Sequence, residues 1–282
     1  MAVKRMAPTT PARRGMTSQD FDQITAKKPV KSLIVARKQK SGRNNTGRIT
    51  SRHRGGGAKR FIRLVEFNPE AGLKATVEHI EYDPGRTARI ARLRDESGRL
   101  SYTLATHGMR QGQVVQVSGD NTPAAIEQGN RLKLRDIPLG STINNIELVA
   151  GRGGQAVRSA GASAQLTAKE GKYAMVRMPS GEVRKFHLEC MATLGSIGNE
   201  QHQNIKIGSA GRKRHLGIRP RVRGVAMNAV DHPHGGGDGG QHGTGKPPRT
   251  PWGQLTLGKR TRRRKSTNNM IVKSRHDAKR RK

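Results

Sequence analysis

The sequence is poor in cysteine, in aromatic residues and in long apolar runs. Of its 282 residues, one is cysteine (Cys190) and only eight are Phe, Tyr or Trp. A single cysteine excludes an intramolecular disulfide and a cysteine-rich zinc finger. No apolar run approaches the roughly 18 residues of a transmembrane helix. The N-terminus lacks the apolar stretch of a secretory signal, but its composition is compatible with an organellar transit peptide, since no acidic residue precedes Asp20.

Acidic residues are also scarce. The chain has 20 Asp and Glu against 55 Lys and Arg, a formal net charge of +35. A compact fold carrying this charge alone would repel itself. The sequence therefore predicts either that the charge lies on extended arms or that a polyanion neutralises it.

Charge and apolar residues are distributed in opposite ways along the chain. The net charge is +14 over residues 1–60, +3 over 61–200 and +18 over 201–282. Val, Leu, Ile and Phe make up 32 of the 140 central residues but only 19 of the 142 flanking ones. Because only the centre has enough apolar residues to offset the entropy of folding, we predict a modest globular centre between two polycationic arms.

The first part of the centre has the alternation of short β-strands. Turn signals occur at 83–85 (Asp-Pro-Gly) and at 95–98 (Asp-Glu-Ser-Gly). We predict five strands, at 61–67, 73–82, 88–94, 100–104 and 113–118. One face of the second strand is expected to carry Leu73, Ala75 and Val77. The alternation then shifts by one residue, and Ile80 and Tyr82 continue the same face. This spacing favours a small barrel or sandwich.

A second group of strands follows. Apolar residues alternate at 132–134 and recur at 143–148, and strands are predicted at 172–178 and 183–188 around a Pro-Ser-Gly turn. One helical turn is expected at 121–128, where we place the division between the two groups. The predicted organisation is therefore all-β, with a basic arm at 1–60, barrel-like modules at 61–124 and 125–200, and a Gly/Pro-rich basic arm at 201–282.

The first arm combines Gly, Asn and Arg at 41–60. Backbone without a Cβ can approach a phosphate closely, and Arg presents a fork of donors that matches it. The alternative is a flexible charged linker. The pattern favours nucleic-acid contact, and the candidate residues are Arg43, Asn44, Asn45, Arg48, Arg52, His53, Arg54, Lys59 and Arg60.

The second arm contains features that a random charged tail would not need. Trp252 stands between Pro251 and Gly253, and apolar residues recur at 222–230. We predict an ordered irregular segment that is surrounded by RNA rather than water, although the run at 259–265 also resembles a common nuclear-targeting signal. Its candidate RNA-binding residues are Arg212, Arg214, Arg219, Arg221, Arg223, Asn228, His232, His234, Lys246, Arg249, Trp252, Lys259, Arg260, Arg262 and Arg263.

Two arginines in predicted loops of the centre complete the set of candidates. Arg86 follows the turn at 83–85, and Arg158 lies in an Arg-Ser-Ala-Gly stretch. We expect both to make shape-specific RNA contacts beside rigid strands, the alternative for each being a solvated loop arginine.

Three sets of residues could be interpreted as catalytic, metal or nucleotide sites, but the support for each is weak. His232, His234 and His242 with nearby aspartates suggest metal ligands, but no third ligand position is specified. Cys190 lies among apolar residues, where an inert core thiol is expected. Residues 240–246 match the first seven positions of a phosphate-binding loop, but Pro247 stands where the magnesium-binding hydroxyl is required.

Several motifs together resemble the family of the second protein of the large ribosomal subunit, of bacterial type. They are the stretches at 42–57 (G-R-N-N-x-G-R-I-T-x-R-H-R-G-G-G), 219–237 (R-P-x-V-R-G-V-A-M-N-x-V-D-H-P-H-G-G-G), 251–253, 81–86, 158–161, 168–171, 179–182 and 192–195. Ala58 and Ala229 depart from that pattern, since His and Pro are usual there. The resemblance covers essentially the whole chain in one order.

The resemblance implies an oligonucleotide-binding-type barrel followed by an SH3-like barrel, with long irregular arms. It implies a structural, non-enzymatic protein that binds large-subunit ribosomal RNA, supports assembly and subunit association, and reaches the peptidyl-transferase region without performing the chemistry. Expected partners are ribosomal RNA, neighbouring ribosomal proteins and the small subunit, with no membrane. No cofactor is expected apart from structural magnesium held through RNA, and the location is a cytoplasmic or organellar ribosome. The alternatives are a basic nucleic-acid-condensing protein of chromatin type and a nucleotide-hydrolysing enzyme that uses 240–246.

Overall fold

The protein is built from short strands, seen in a computed structural model that describes residues 3–119, 122–237 and 247–276. In chain order the strands are β1 (Lys4–Arg5), β2 (Thr17–Ser18), β3 (Ile34–Ala36), β4 (Phe61–Arg63), β5 (Lys74–Glu81), β6 (Ile90–Asp95), β7 (Leu100–Leu104), β8 (Val114–Gln116), β9 (Arg131–Lys133), β10 (Thr142–Asn144), β11 (Ile146–Glu147), β12 (Gly154–Ala156), β13 (Ala164–Glu170), β14 (Tyr173–Arg177), β15 (Val183–His187), β16 (Met191–Leu194) and β17 (Ile271–Lys273). The predicted all-β class is confirmed.

Helical structure in the described residues is short. It comprises α1 (Pro11–Arg14), α2 (Ala210–His215) and 3-10 turns at Lys31–Leu33, Glu200–Asn204, Gly224–Ala226 and Asn268–Met270. Over the described ranges, no helix has the length and apolar character that crossing a membrane requires.

The helical turn predicted at 121–128 is wrong for residues 122–127, which form bends and irregular backbone, and Gln128 begins a non-helical turn. The side-chain amide of Asn130 donates to the carbonyl of Ala125 at 2.9 Å, while its oxygen accepts the N–H of Gln116 at 2.9 Å. A side chain of this kind competes with the backbone donors that a helix would use.

The first sheet is antiparallel and has the order β7-β6-β5-β8. The register of β5 shifts between Val77 and His79, so that Ala75, Val77 and Ile80 all reach the core despite their interrupted alternation. Tyr82 was predicted on the same face but is 45% exposed, because it follows the end of β5 and packs edge-on against Phe21. The prediction of a strand at 61–67 is correct only for β4, which pairs with β3.

A segment before β3 is hydrogen-bonded to this sheet. The N–H of Val30 donates to the hydroxyl of Tyr102 at 2.9 Å, and that hydroxyl donates to the carboxylate of Glu81 at 2.8 Å. The N–H of Thr25 donates to the carbonyl of Ile80 at 3.0 Å. Residues 20–30 are therefore packed against the first sheet, although the charge count groups them with an arm.

The second sheet has seven antiparallel strands in the order β17-β15-β14-β13-β10-β16-β9. The strands predicted at 172–178 and 183–188 correspond to β14 and β15, and the turn between them places Gly181 at φ +84°. Strands β13, β16 and β17 were not predicted. Cys190 is buried in this core, as expected, and burial raises the pKa of its thiol to about 11.

The chain divides into two compact units. The first comprises 1–38, 59–210 and 267–282 and contains both sheets; the second comprises 39–58 and 211–266. Both segments of the second unit are therefore flanked on each side, along the chain, by segments of the first unit. All buried apolar residues of the described chain lie between Ala75 and Ile197, within the first unit.

Candidate nucleic-acid interface

The second unit carries nearly half of the net charge. Residues 39–58 and 211–266 hold 19 Lys and Arg against two Asp, a net +17. Among the residues of this unit that the structure describes, His232 is the only buried one, at 8% exposure. Without buried apolar side chains the hydrophobic effect contributes little to its stability, so turns and hydrogen bonds hold its conformation.

In the first segment of the unit, residues 43–49 form a small hairpin. Arg43 and Ile49 make an antiparallel bridge, and the N–H of Asn44 donates to the carbonyl of Arg48 at 3.0 Å. The side-chain oxygen of Asn44 accepts the N–H groups of Thr46 and Arg48, each at 3.0 Å. This Asx turn fixes the tip of the hairpin and leaves its cations in solvent.

The two segments of the unit contact each other through backbone hydrogen bonds at small residues. The N–H of Gly55 donates to the carbonyl of Gly217 at 3.0 Å, and the N–H of Ala58 donates to that of His215 at 2.9 Å. A Cβ on Gly57 would lie 2.8 Å from the backbone of Gly217. The glycine at 57 is therefore required by the chain's own second segment, and not only by the approach of a phosphate that the sequence suggested.

The Asp-His-Pro-His stretch folds around the buried imidazole of His232. Its Nδ1 accepts the N–H of His234 at 3.0 Å, and its carbonyl accepts the N–H of Gly235 at 2.8 Å. A Cβ on Gly224 would collide with the ring. The Nε2 of His234 accepts the N–H of Arg249 at 2.8 Å, which ties this turn to the hairpin that follows.

That second hairpin presents Trp252. Arg249 and Leu255 form an antiparallel bridge, and the N–H of Thr250 donates to the carbonyl of Gln254 at 2.8 Å. The carbonyl of Gly253 accepts a bond from the Arg249 guanidinium at 2.9 Å. The indole of Trp252 is 74% exposed at the tip. Residues 259–265, six of them Lys or Arg, follow and are exposed.

The sequence matches two family models. Residues 30–117 match Ribosomal Proteins L2, RNA binding N-terminal domain, and residues 127–253 match Ribosomal Proteins L2, C-terminal domain. Together these ranges cover about three quarters of the 282 residues. The chain belongs to the ribosomal protein L2 family.

Membership of the L2 family gives the chain a structural, RNA-binding role in the large ribosomal subunit. It also confirms the architecture expected from the resemblance, in which the first sheet belongs to an oligonucleotide-binding-type barrel and the second to an SH3-like barrel. Neither match supports the alternative of a nucleic-acid-condensing protein.

The two loop arginines of this L2-family chain both lie close to the ring of Phe67 in the first unit. The guanidinium carbons of Arg86 and Arg158 are 5.4 and 4.5 Å from the centre of the Phe67 ring. Arg86 also pairs with buried Asp83 at 2.6 Å. Burial and the charge of Arg86 lower the pKa of Arg158. Both arginines are thus positioned by the fold, and their contact with RNA stays a prediction.

The structure places the 26 candidate residues of this L2-family chain in four groups. The exposed group comprises Arg43, Asn44, Asn45, Arg48, Arg52, Arg54, Lys59, Arg158, Arg212, Arg219, Arg221, Arg223, Asn228, Arg249, Trp252, Lys259, Arg260, Arg262 and Arg263. The half-buried group comprises His53, Arg60, Arg86, Arg214 and His234. His232 is buried, and Lys246 lies outside the described residues.

Four exposed cations of the second unit were not among the candidates. They are Lys40, Lys213, Arg264 and Lys265. Each lies within or beside a basic stretch whose other residues were predicted to bind RNA. The basic stretch as a whole would therefore have been the better prediction.

The histidines suggested as metal ligands have other partners. Nδ1 of His232 and Nε2 of His234 each accept a backbone N–H. In the parts of the chain that the structure describes, no three His, Cys, Asp or Glu residues are grouped as metal ligands would be. His242 and the segment 240–246, on which the nucleotide-binding alternative depends, lie outside those parts.

Proposed function

We propose that the chain is a primary binder of large-subunit ribosomal RNA, and that the second unit is the part that enters the RNA. The observation that carries this proposal is a compact unit of net +17 whose described residues bury only one side chain, His232. Phosphates would neutralise its charge, and RNA would cover the apolar side chains that it leaves in solvent.

The hydrogen-bonded turns of the second unit lower the cost of binding. Ordering a flexible backbone costs about 1–2 kcal/mol per residue. The hairpins at 43–49 and 249–255 already have fixed ends, and each segment of the unit is joined to the first unit at both of its ends. This preorganisation leaves more of the electrostatic interaction for affinity.

From this placement we infer a role in assembling the large subunit, in subunit association and in supporting the peptidyl-transferase region. RNA performs the chemistry in this proposal, because the histidine ring nitrogens named above are used to hold turns. Neighbouring ribosomal proteins and the small subunit are proposed partners. The proposed location is a cytoplasmic ribosome, and magnesium ions would be held through RNA rather than by side chains.

The salt dependence of RNA binding tests the role of the second unit. Each phosphate neutralised on a single strand contributes about 0.7 to the slope of log affinity against log salt. Changing Lys259, Arg260, Arg262 and Arg263 to Gln should therefore lower the slope by about 3. A matched control changes four exposed cations of the first unit that lie outside the matched RNA-binding domain, namely Lys28, Arg152, Lys172 and Arg177.

Binding of large-subunit ribosomal RNA should be measured by filter retention over a range of salt concentrations, with duplex DNA as competitor. We expect structured RNA to win the competition at fixed salt, and the control quadruple variant to keep a slope near that of the wild type. Equal slopes for the two quadruple variants, or equal competition by duplex DNA, would contradict the proposal.

A further inference from the structure

Trp252 is unusual in both its type and its position. It is the only Phe, Tyr or Trp in the segments 39–58 and 211–266, and the only Trp in the chain. Its side chain is 74% exposed, whereas Tyr102, a large aromatic residue of the first unit, is fully buried. Exposing an indole sacrifices the burial of a large apolar surface, so a partner that covers it is expected.

The backbone around Trp252 is fixed rather than loose. The N–H of Gly253 donates to the carbonyl of Thr250 at 2.9 Å, and Gly253 has φ +77°, a conformation that glycine adopts without strain. The N–H and the hydroxyl of Thr256 both donate to the carbonyl of Pro248 at 3.0 Å. Together with the bond from Arg249 to Gly253, these contacts hold the indole on a short, closed hairpin.

The chemistry around the tip selects one kind of partner. The hairpin carries Arg249 and is followed by the exposed cations of 259–265, and no acidic residue lies between 247 and 266. A flat aromatic ring beside a polycationic segment matches a nucleobase whose backbone phosphates are neutralised alongside. A protein partner would need acidic groups for the same cations, and it would leave the planarity of the ring unused.

We propose that Trp252 stacks on an unpaired nucleobase of the large-subunit ribosomal RNA. This rests on the proposed RNA-binding function and adds to it the class of nucleotide that the hairpin recognises. The hairpin acts as a rigid probe, with Arg249 fixing its turn and the following cations holding the RNA backbone. The base is unpaired because a base within a duplex offers no free face for stacking.

The single tryptophan provides a direct test in the full-length chain. Its fluorescence should be quenched when large-subunit ribosomal RNA is added. The substitution Trp252→Leu keeps an apolar side chain but removes the ring, and it should weaken binding by about 5- to 150-fold, which corresponds to the usual worth of one base–aromatic stack. Trp252→Phe should restore most of the affinity. Leu139→Ala, at an exposed leucine of the first unit, is the matched control and should have little effect.

The outcomes separate the inference from the proposed function. If wild-type chain binds the RNA without quenching, and Trp252→Leu binds it equally well, stacking is wrong while RNA binding stands. If the fluorescence responds to added ribosomal proteins but not to RNA, the partner is a protein and the inference is overturned. If the wild-type chain fails to bind the RNA at all, the proposed function itself is wrong.

Discussion

At the scale of single residues, the first unit contains a buried ion pair, in which each charge is stabilised by the other. Arg131 and Glu147 form a 2.8 Å ion pair with side chains 4% and 0% exposed. Glu147 also accepts the N–H groups of Gly151 and Met191 at 3.2 and 3.1 Å. Burial lowers the pKa of Arg131, and its partner opposes that shift. A pair of this kind contributes little net stability, but removing one partner is strongly destabilising because it leaves a buried charge.

The same unit buries two groups that lose a proton in alkali. Burial raises the pKa of Cys190 from 9.0 to about 11 and that of Tyr102 from 10.0 to about 12. Both groups are neutral in the folded state while their unfolded counterparts ionise, so their contribution to stability is complete below about pH 9 and is lost as the pH rises through 11 and 12.

We therefore expect the free energy of unfolding, measured with urea at several pH values, to be level up to about pH 9 and to fall above it. In Cys190→Ala the fall should begin closer to pH 10, since of these two buried groups only the phenol of Tyr102 remains. An unchanged onset in this variant would show that the thiol does not contribute.

At the scale of elements, one edge of the second sheet is formed by β17, a strand far along the chain from its partner. Strand β17 lies 84 positions after the last residue of β15 and pairs with it through Val183–Lys273 and Arg184–Ile271. It follows the 3-10 turn at Asn268–Met270. This pairing returns the chain to the first unit after residue 266.

Breaking β17 should therefore loosen the anchor without changing the charge. Proline at 271 removes a backbone donor and disfavours the helical conformation of Met270. We expect Ile271→Pro to speed amide exchange in β15 and in 267–276 by roughly tenfold, equivalent to ~1.4 kcal/mol of easier local opening. Exchange in β13 should hardly change, and Ile271→Val should behave as the wild type. Uniform acceleration in both strands would instead indicate that the whole sheet depends on β17.

Prediction of the elements succeeded where local patterns decided them. The strands β5 to β8 follow from period-two alternation, and even the bulge in β5 is visible as a shift between Val77 and Ile80. Strand β13 was missed because its sequence, Ala-Gln-Leu-Thr-Ala-Lys-Glu, contains only one large apolar residue, Leu166. Strand β17 was missed because nothing in a basic tail indicates the edge with which it will pair.

At the scale of the whole molecule, apolar burial and the higher density of charge belong to different units. All described buried apolar residues lie between Ala75 and Ile197, whereas the second unit carries +17 on 76 residues. The first unit has the apolar burial that makes folding favourable, and the second relies on hydrogen bonds that water can replace. Folding of the first unit is therefore expected not to require the second.

A chain that ends at Ala210 should accordingly keep a cooperative thermal transition and the β-type circular dichroism of the full chain. Its melting temperature should fall by only a few degrees, because it loses the edge strand β17 and no buried apolar residue. Its affinity for large-subunit ribosomal RNA should fall steeply in the same preparation. Collapse of the circular dichroism signal would mean that the second unit is part of the folding core.

The sequence by itself determined the all-β class, the buried core cysteine, the turns at 83–85, 95–98 and 179–181 and the concentration of cations outside the core, because each of these depends on local periodicity or on composition. Only the tertiary structure decided that 39–58 and 211–266 form one unit, that Gly57 meets Gly217, that β17 closes the sheet and that His232 is buried while Trp252 is exposed. The first three features depend on contacts between residues far apart in the chain, and such contacts leave no pattern in either segment alone. The last depends on how short turns of Gly and Pro fold, which the alternation of residues does not reveal.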